Sequence, residues 1–198
     1  MAEHYYTEKP TSELNIRQIR AILRGKELSF YTGSGVFSPD KIDIGTALLI
    51  KDSIIEPGAK ILDLGCGYGP VGITLKKAFP ETKVSMTEIN QRAVMLAKKN
   101  AKLNHADVKI AQGNLYESVA EEKFDIILVN PPMAAGKKLC FEIIEKAKEH
   151  LTDKGTLQLV ARHQKGGREL EKKMQEVFGN VEEISKKSGF RIYLSKNS

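Results

Sequence analysis

Two short stretches hold the residue types that could do chemistry. The first is Ile61-Leu62-Asp63-Leu64-Gly65-Cys66-Gly67-Tyr68-Gly69-Pro70-Val71-Gly72, an apolar run that breaks into alternating glycines and then turns amphipathic. It reads as strand, loop and helix start. Glycines at 65, 67 and 69 admit positive φ and let another molecule approach the backbone, while Pro70 suits a first helical turn whose unpaired N–H groups face the loop. That is a nucleotide-binding crevice. The next strand, Lys83 to Glu88, ends in an acid roughly 20 residues beyond the glycines, where an open α/β sheet holds a ribose hydroxyl. The second stretch is Asn130-Pro131-Pro132-Met133, which follows the buried-strand pattern Phe124-Asp125-Ile126-Ile127-Leu128-Val129. Its prolines lack backbone donors and stiffen the turn, leaving carbonyls free to face a substrate. Either motif alone also reads as a plain turn, so the weight lies on their joint occurrence.

Asp63-Leu64-Gly65-Cys66-Gly67-Tyr68-Gly69 and Asn130-Pro131-Pro132-Met133 together resemble the class I S-adenosylmethionine-dependent methyltransferases that act on exocyclic or amide nitrogens. Ser34-Gly35-Val36-Phe37-Ser38, Gly45-Thr46 and Ala135-Gly136-Lys137-Lys138 narrow the resemblance to small-domain RNA guanine-N2 methyltransferases. It runs over residues 25–196. The resemblance implies S-adenosyl-L-methionine as cofactor and ribosomal RNA as partner, with an exocyclic base amine, guanine N2 foremost, as methyl acceptor. Asn130 and Pro131 would take the two amine hydrogens, with Pro132 and Met133 completing that wall, and no strong base is needed. Asn130 also borders the donor.

On the donor side the resemblance assigns Gly65, Gly67 and Gly69 to backbone approach by the methionine portion, with Cys66 in the same loop. Asp63 would order the loop, Glu88 would take the ribose hydroxyls, and Ile89 would pack on the adenine. Asn114 stands where the family commonly has Asp and can accept from the adenine amine without a charge. Leu115 is an apolar adenine neighbour, and Phe37 and Thr46 lie in segments that cover the donor. Two positions depart from the family. Met133 replaces a frequent aromatic residue, and Ala134 replaces a frequent arginine, with Lys137 and Lys138 as substitutes or as solvated charges.

Other readings keep or change this chemistry. A protein glutamine amide or an adenine in DNA or RNA could be the acceptor, or the chain could be a silent subunit that binds S-adenosylmethionine or RNA. The intact Asn130-Pro131-Pro132 argues against silence. A nicotinamide dehydrogenase fares badly because the third fingerprint glycine falls on Pro70. Cys66 faces the donor from inside the loop, which argues against a nucleophilic cysteine. Histidines 4, 105, 150 and 163 have no ligand spacing, so no metal site is expected.

The elements that must position these residues alternate along the chain. Strands are expected at 61–64, 83–88, 107–112, 124–129 and 155–162, and helices at 70–79, 90–103, 137–151 and 167–178. Runs at 181–186 and 190–196 flank Ser188-Gly189 as an antiparallel hairpin. Alternation of this kind means a parallel sheet covered on both faces, and the resemblance makes it a seven-stranded, Rossmann-like α/β sheet closed by that hairpin. Residues 1–43 read as an N-terminal appendage, with a polar start over residues 1–12 and then a hairpin turning at Arg24-Gly25-Lys26. The methyltransferase domain is expected over 44–198, and Asp43 begins a helix with apolar positions Ile44, Leu48, Leu49 and Ile54.

A chain of 198 residues that is 41% hydrophobic suits one such domain. Its net charge of +6 and pI near 9.2 favour a polyanionic partner such as RNA. Two cysteines make neither a disulfide framework nor a zinc cluster, so a reducing cytoplasm is the natural reading. The start lacks the apolar core of a signal peptide, and no apolar run approaches the ~20 residues that span a membrane. Monomer and homodimer both remain open.

Overall fold

The computed structural model describes residues 8, 9 and 13–198. The expected polar start over residues 1–12 falls, Glu8 and Lys9 apart, outside the described residues. The sheet is built around β3 (Lys60–Leu64), where Ile61, Leu62 and Leu64 are at most 2% exposed because both faces of a central parallel strand are covered. β4 (Lys83–Glu88) and β6 (Phe124–Val129) flank it in parallel. β5 (Lys109–Gln112) and β7 (Leu151–Arg162) extend the parallel run, and β9 (Phe190–Lys196) pairs antiparallel with both β7 and β8 (Glu182–Lys187). The order β5-β4-β3-β6-β7-β9-β8 is the expected seven-stranded sheet with its closing hairpin.

Alternating side chains divide the core. Ile61, Ile126 and Leu128 point to the face covered by α1 (Ile44–Asp52), α2 (Pro70–Ala78) and α3 (Gln91–Leu103). Leu62, Ile127 and Val129 point to the face covered by α4 (Lys137–His150) and α5 (Arg168–Phe178). The period of two along the strands thus divides these apolar residues between the two helical layers, with Phe124, before the irregularity in β6, falling on the α4–α5 side.

β1 (Ile16–Leu23) and β2 (Lys26–Gly33) form the expected hairpin as a separate two-stranded sheet. Arg24 at φ 47° and Gly25 at φ 72° give the turn the left-handed pair whose twist matches the strands. The Arg24 guanidinium then donates to the carbonyls of Ile50 and Ser53, each at 2.5 Å. Asn100 of α3 and Asn104, which caps its end, fasten β2 from the other side. Asn104 accepts from Ser29 N at 3.1 Å and donates to Ser29 O at 2.8 Å, while Asn100 does the same with Tyr31 at 2.6 and 2.8 Å. Asn100 also donates to the carbonyl of Tyr68 at 2.8 Å, which ties the hairpin to the glycine loop.

Several boundaries move by one or two residues, and two of the differences have a visible tertiary cause. The first helix stops at Asp52, leaving Ile54 outside it and 52% exposed, because the Ile54 backbone exchanges both its hydrogen bonds with the Gln158 side chain at 2.9 and 2.8 Å. Its buried face is Leu48, Leu49 and Ile50, with Ile44 exposed. The last parallel strand starts at Leu151 rather than 155, because a bulge carries the chain past the turn-like residues: Phe124 pairs with Leu151, Ile126 with Thr156, and Lys154 takes φ 65°.

Candidate active site

β3, β4 and β6 end together at the carboxyl edge of the sheet, and the loops that follow them wall a cleft of about 1190 Å³ including its open mouth. The β3 loop supplies the backbone face. Gly65 and Gly67 take φ 70° and 58°, and among the described residues no heavy atom lies within 4 Å of where a Cβ on either would stand. A side chain there would be strained and would fill the cleft instead of the core. The loop is hung from its neighbour by Gly65 N and Cys66 N, which donate to Thr87 O at 2.9 and 3.0 Å.

Two carboxylates finish this face. Asp63, 3% exposed, accepts from Gly72 N in the first turn of α2 at 2.9 Å, satisfying a helix N–H that would otherwise be orphaned. Burial, with a smaller contribution from the nearby Glu88 charge and against the Gly72 hydrogen bond, pushes its carboxyl up to about 7. Glu88 spans the crevice: one oxygen accepts from Gly67 N and the other from Asn90 N, both at 2.9 Å. Burial raises the Glu88 carboxyl above its ordinary range, against the pull of these N–H groups. Each oxygen keeps lone pairs beyond those bonds, enough to accept a vicinal diol. Burial also pushes the Cys66 thiol well above its ordinary range, so Cys66 is a small apolar lining residue and not a thiolate.

Apolar walls complete the donor half. Ile89 and Leu115 both line the cleft, with Asn114, exposed, next to Leu115 in the chain. Leu115 holds φ 50°, a left-handed conformation costing of order 1 kcal/mol for a residue with a Cβ, and its carbonyl accepts from Thr87 Oγ1 at 3.3 Å. The loop carrying Phe37 and Ser38 lies over the other end. It is tied down by Asn90 Nδ2 to Gly35 O at 2.8 Å, Arg92 to Ser34 O at 2.7 Å, and Tyr68 Oη to Ser38 O at 3.4 Å.

The acceptor half stands across the cleft at the end of β6. Asn130 Nδ2 donates to Thr46 Oγ1 at 3.0 Å and to Asp43 Oδ2 at 3.2 Å. An ionised carboxylate only accepts, so Asp43 fixes which end of the amide it faces and leaves Asn130 Oδ1 turned the other way. The same Asp43 oxygen caps α1 by accepting from Thr46 N at 3.0 Å. Pro132, at φ −75° and ψ 77°, centres an inverse γ-turn in which Met133 N donates to Pro131 O at 2.9 Å. One lone pair of the Pro131 carbonyl is thereby used and one remains.

Most residues predicted from the sequence line this one cleft: Phe37, Thr46, Asp63, Gly65, Cys66, Gly67, Glu88, Ile89, Asn114, Leu115, Asn130, Pro131 and Pro132. Gly69 and Met133 do not. A Cβ on Gly69 would meet Ile73 and Met86 at 2.8 and 3.0 Å, so Gly69 serves the helix start and core packing. Met133 is swung round by the γ-turn to put its sulfur 3.8 Å from Cys140 Sγ and its methyl against Gly166. Lys137 is paired with Glu169. Asp43 was expected only as a helix start. Its second role escapes a sequence reading because its partner Asn130 lies 87 positions away.

The profile of the family described as Methyltransferase small domain matches residues 27–194. The chain belongs to that family. Membership carries the enzyme class and methyl donor read from the sequence, an S-adenosylmethionine-dependent methyltransferase, and the two open, positive-φ glycines beside Glu88 fit such a donor. The chain is 42% identical over 200 residues to the "Uncharacterized protein YbxB" of Bacillus subtilis (strain 168), covering 99% of each. It is 32% identical over 176 residues to the Ribosomal RNA small subunit methyltransferase C of Haemophilus influenzae (strain PittEE), covering 87% of this chain and 52% of that one. A solved structure of T. thermophilus 16S rRNA N2 G1207 methyltransferase (RsmC), in complex with AdoMet and guanosine, shares the fold with a TM-score of 0.81 and 24% identity. That match covers 96% of this chain and 52% of the other. This family member thus spans about half the length of the named methyltransferases it matches. Among the described residues, no helix is long and apolar enough to cross a membrane.

Proposed function

We propose that the chain methylates an exocyclic base amine of RNA, with guanine N2 of ribosomal RNA as the acceptor. The observation that carries this reading is the pinned Asn130 amide, whose nitrogen is bonded to Asp43 and Thr46, which leaves its oxygen to accept. An exocyclic amine is a poor nucleophile because its lone pair is delocalised into the ring. Two acceptors that take its two hydrogens draw it towards a pyramidal geometry and release the lone pair, an interaction that strengthens at the transition state. S-adenosylmethionine supplies the electrophilic methyl. Asn130 and Pro131 orient the acceptor in line with it, the glycine loop and Glu88 hold the other end, and positioning is the main catalytic contribution. The relatives whose names state ribosomal RNA methylation support the acceptor class. Free, buried Cys66 and Cys140 suit a cytoplasmic enzyme.

The test is tritium transfer from labelled S-adenosylmethionine to separate pools of ribosomal RNA, DNA and protein, followed by nucleoside analysis. The expected product is N2-methylguanosine. Label in methyladenine or in protein would overturn the acceptor, and donor binding without transfer to any pool would overturn the activity.

A further inference from the structure

A second, basic groove lies close to the acceptor half of the cleft. It is lined by His163, Gln164, Lys186, Lys187, Phe190 and Arg191, together with the hairpin tip at Ser188 and Gly189. Among the described residues, no acidic side chain lines it. The turn over residues 163–167 is bound to the tip by His163 N donating to Gly189 O at 3.0 Å. His163 itself is buried and taken up by its neighbours: Arg168 Nε donates to its Nε2 at 2.8 Å, which leaves its Nδ1 hydrogen for Tyr193 Oη at 2.7 Å. The exposed cations of the groove are Lys186 and Lys187, with half-buried Arg191 beside them.

The groove meets the acceptor site at one point, and the 163–167 turn meets Met133, outside the cleft, at another. A Cβ on Gly45 would lie 2.8 Å from the Phe190 ring and 3.0 Å from the Asp43 carboxylate, so groove and site crowd one point of the α1 backbone. On the other side, Gly166 packs on the Met133 methyl. The charges are arranged at a cost. Lys186 stands directly opposite Arg191 across the β8–β9 ladder, a like-charge pair that destabilises a free hairpin. Glu183 relieves Arg191, whereas Lys186 and Lys187 are exposed and make no ion pair among the described residues. Arg162 lies over the Phe190 ring at 4.7 Å, exposed at the end of β7. An anion set between these cations would remove the repulsion.

We propose that the β8–β9 tip and the 163–167 turn form a groove for the phosphates of the RNA strand flanking the methylated nucleotide, with Lys186 and Lys187 as its main phosphate contacts. This rests on the RNA reading above. Phosphate contacts hold register without reading sequence, so the groove would feed the strand towards Asn130 and leave base choice to the cleft.

The test is binding of a fluorescein-labelled, mixed-sequence single-stranded RNA across a salt series, together with methylation of ribosomal RNA. The Lys186→Ala/Lys187→Ala variant should bind about tenfold more weakly, and its log affinity against log salt slope should flatten by about 1.4, two phosphate contacts' worth. Donor affinity and Tm should stay at wild-type values, and Lys186→Arg/Lys187→Arg should retain binding. The control is Lys98→Ala/Lys102→Ala on α3, which packs at the β5 end of the sheet, far from β8. An unchanged salt slope, or an equal loss in the control, would overturn the groove while wild-type RNA methylation left the parent reading standing. Absence of RNA labelling by the wild type would overturn the parent reading and the groove with it. Unchanged RNA binding with lost capture of an acidic protein would reassign the surface to that partner.

Discussion

The two halves of the cleft are held by different means. The donor half is made of backbone: Gly67 and Gly72 N–H groups are satisfied by half-buried Glu88 at the end of β4 and buried Asp63 in β3, and Gly65 N by the carbonyl of Thr87. The acceptor half is made of side chains, with Asn130 oriented by Asp43 and Thr46 from a helix that precedes the whole sheet. A backbone cradle tolerates changes in most side chains around it and fails when its carboxylates are removed. A side-chain relay fails at each member. The donor half should therefore break as a loss of affinity and the acceptor half as a loss of turnover.

The largest expected effect is at Asn130. Asn130→Ala should lower kcat by about 10²–10³-fold, the range seen when one preorganised hydrogen-bonding group is removed from a transition state. Glu88→Gln should instead weaken donor binding by about tenfold, measured by calorimetry, since one carboxylate oxygen becomes a donor and its N–H partner goes unmet. The third effect separates the relay from simple helix capping. Asp43→Ser keeps an N-cap side chain for α1 but is too short to hold the Asn130 amide, so kcat should fall about tenfold with Tm nearly unchanged. Loss of Tm in step with kcat would show that Asp43 acts only through the helix.

A further effect is a pH signature of the donor half. The Asp63 carboxyl is raised from 3.8 to about 7 in the folded chain, so the native state binds more protons than the unfolded one between those values. Its contribution to stability is therefore greatest at low pH and declines as pH rises through that window. Asp63→Asn should gain on the wild type in denaturant midpoint from 3.8 to about 7 and run parallel to it above. A constant offset across the window would show that Asp63 is not desolvated there.

The same contrast explains what a reader of the sequence could see. The donor half is one contiguous stretch plus the end of the next strand, and glycine spacing, strand periodicity and a terminal acid all carry local signals. The acceptor half offers Asn130-Pro131-Pro132 as a turn with free carbonyls, but the groups that aim Asn130 lie 84 and 87 positions away and leave no local pattern. Asp43 was legible as a helix cap because capping is local. Met133 was legible by identity and not by direction, since the γ-turn at Pro132 decides which way the next side chain swings. Gly69 belongs by spacing with Gly65 and Gly67, yet packing against Ile73 and Met86 makes it a core residue. The fold was legible because each strand and helix announces its own period. Two of its boundary shifts arose where a tertiary hydrogen bond from Gln158 and a bulge at Lys154 overrode local preference.

The most direct test of the central claim is a paired measurement on Asn130→Ala: donor affinity by calorimetry and single-turnover methyl transfer to ribosomal RNA at saturating donor. The account predicts donor affinity within about twofold of wild type and a transfer rate down by about 10²–10³-fold. A parallel loss of donor affinity, or a transfer rate close to wild type, would contradict the assignment of Asn130 to the acceptor amine.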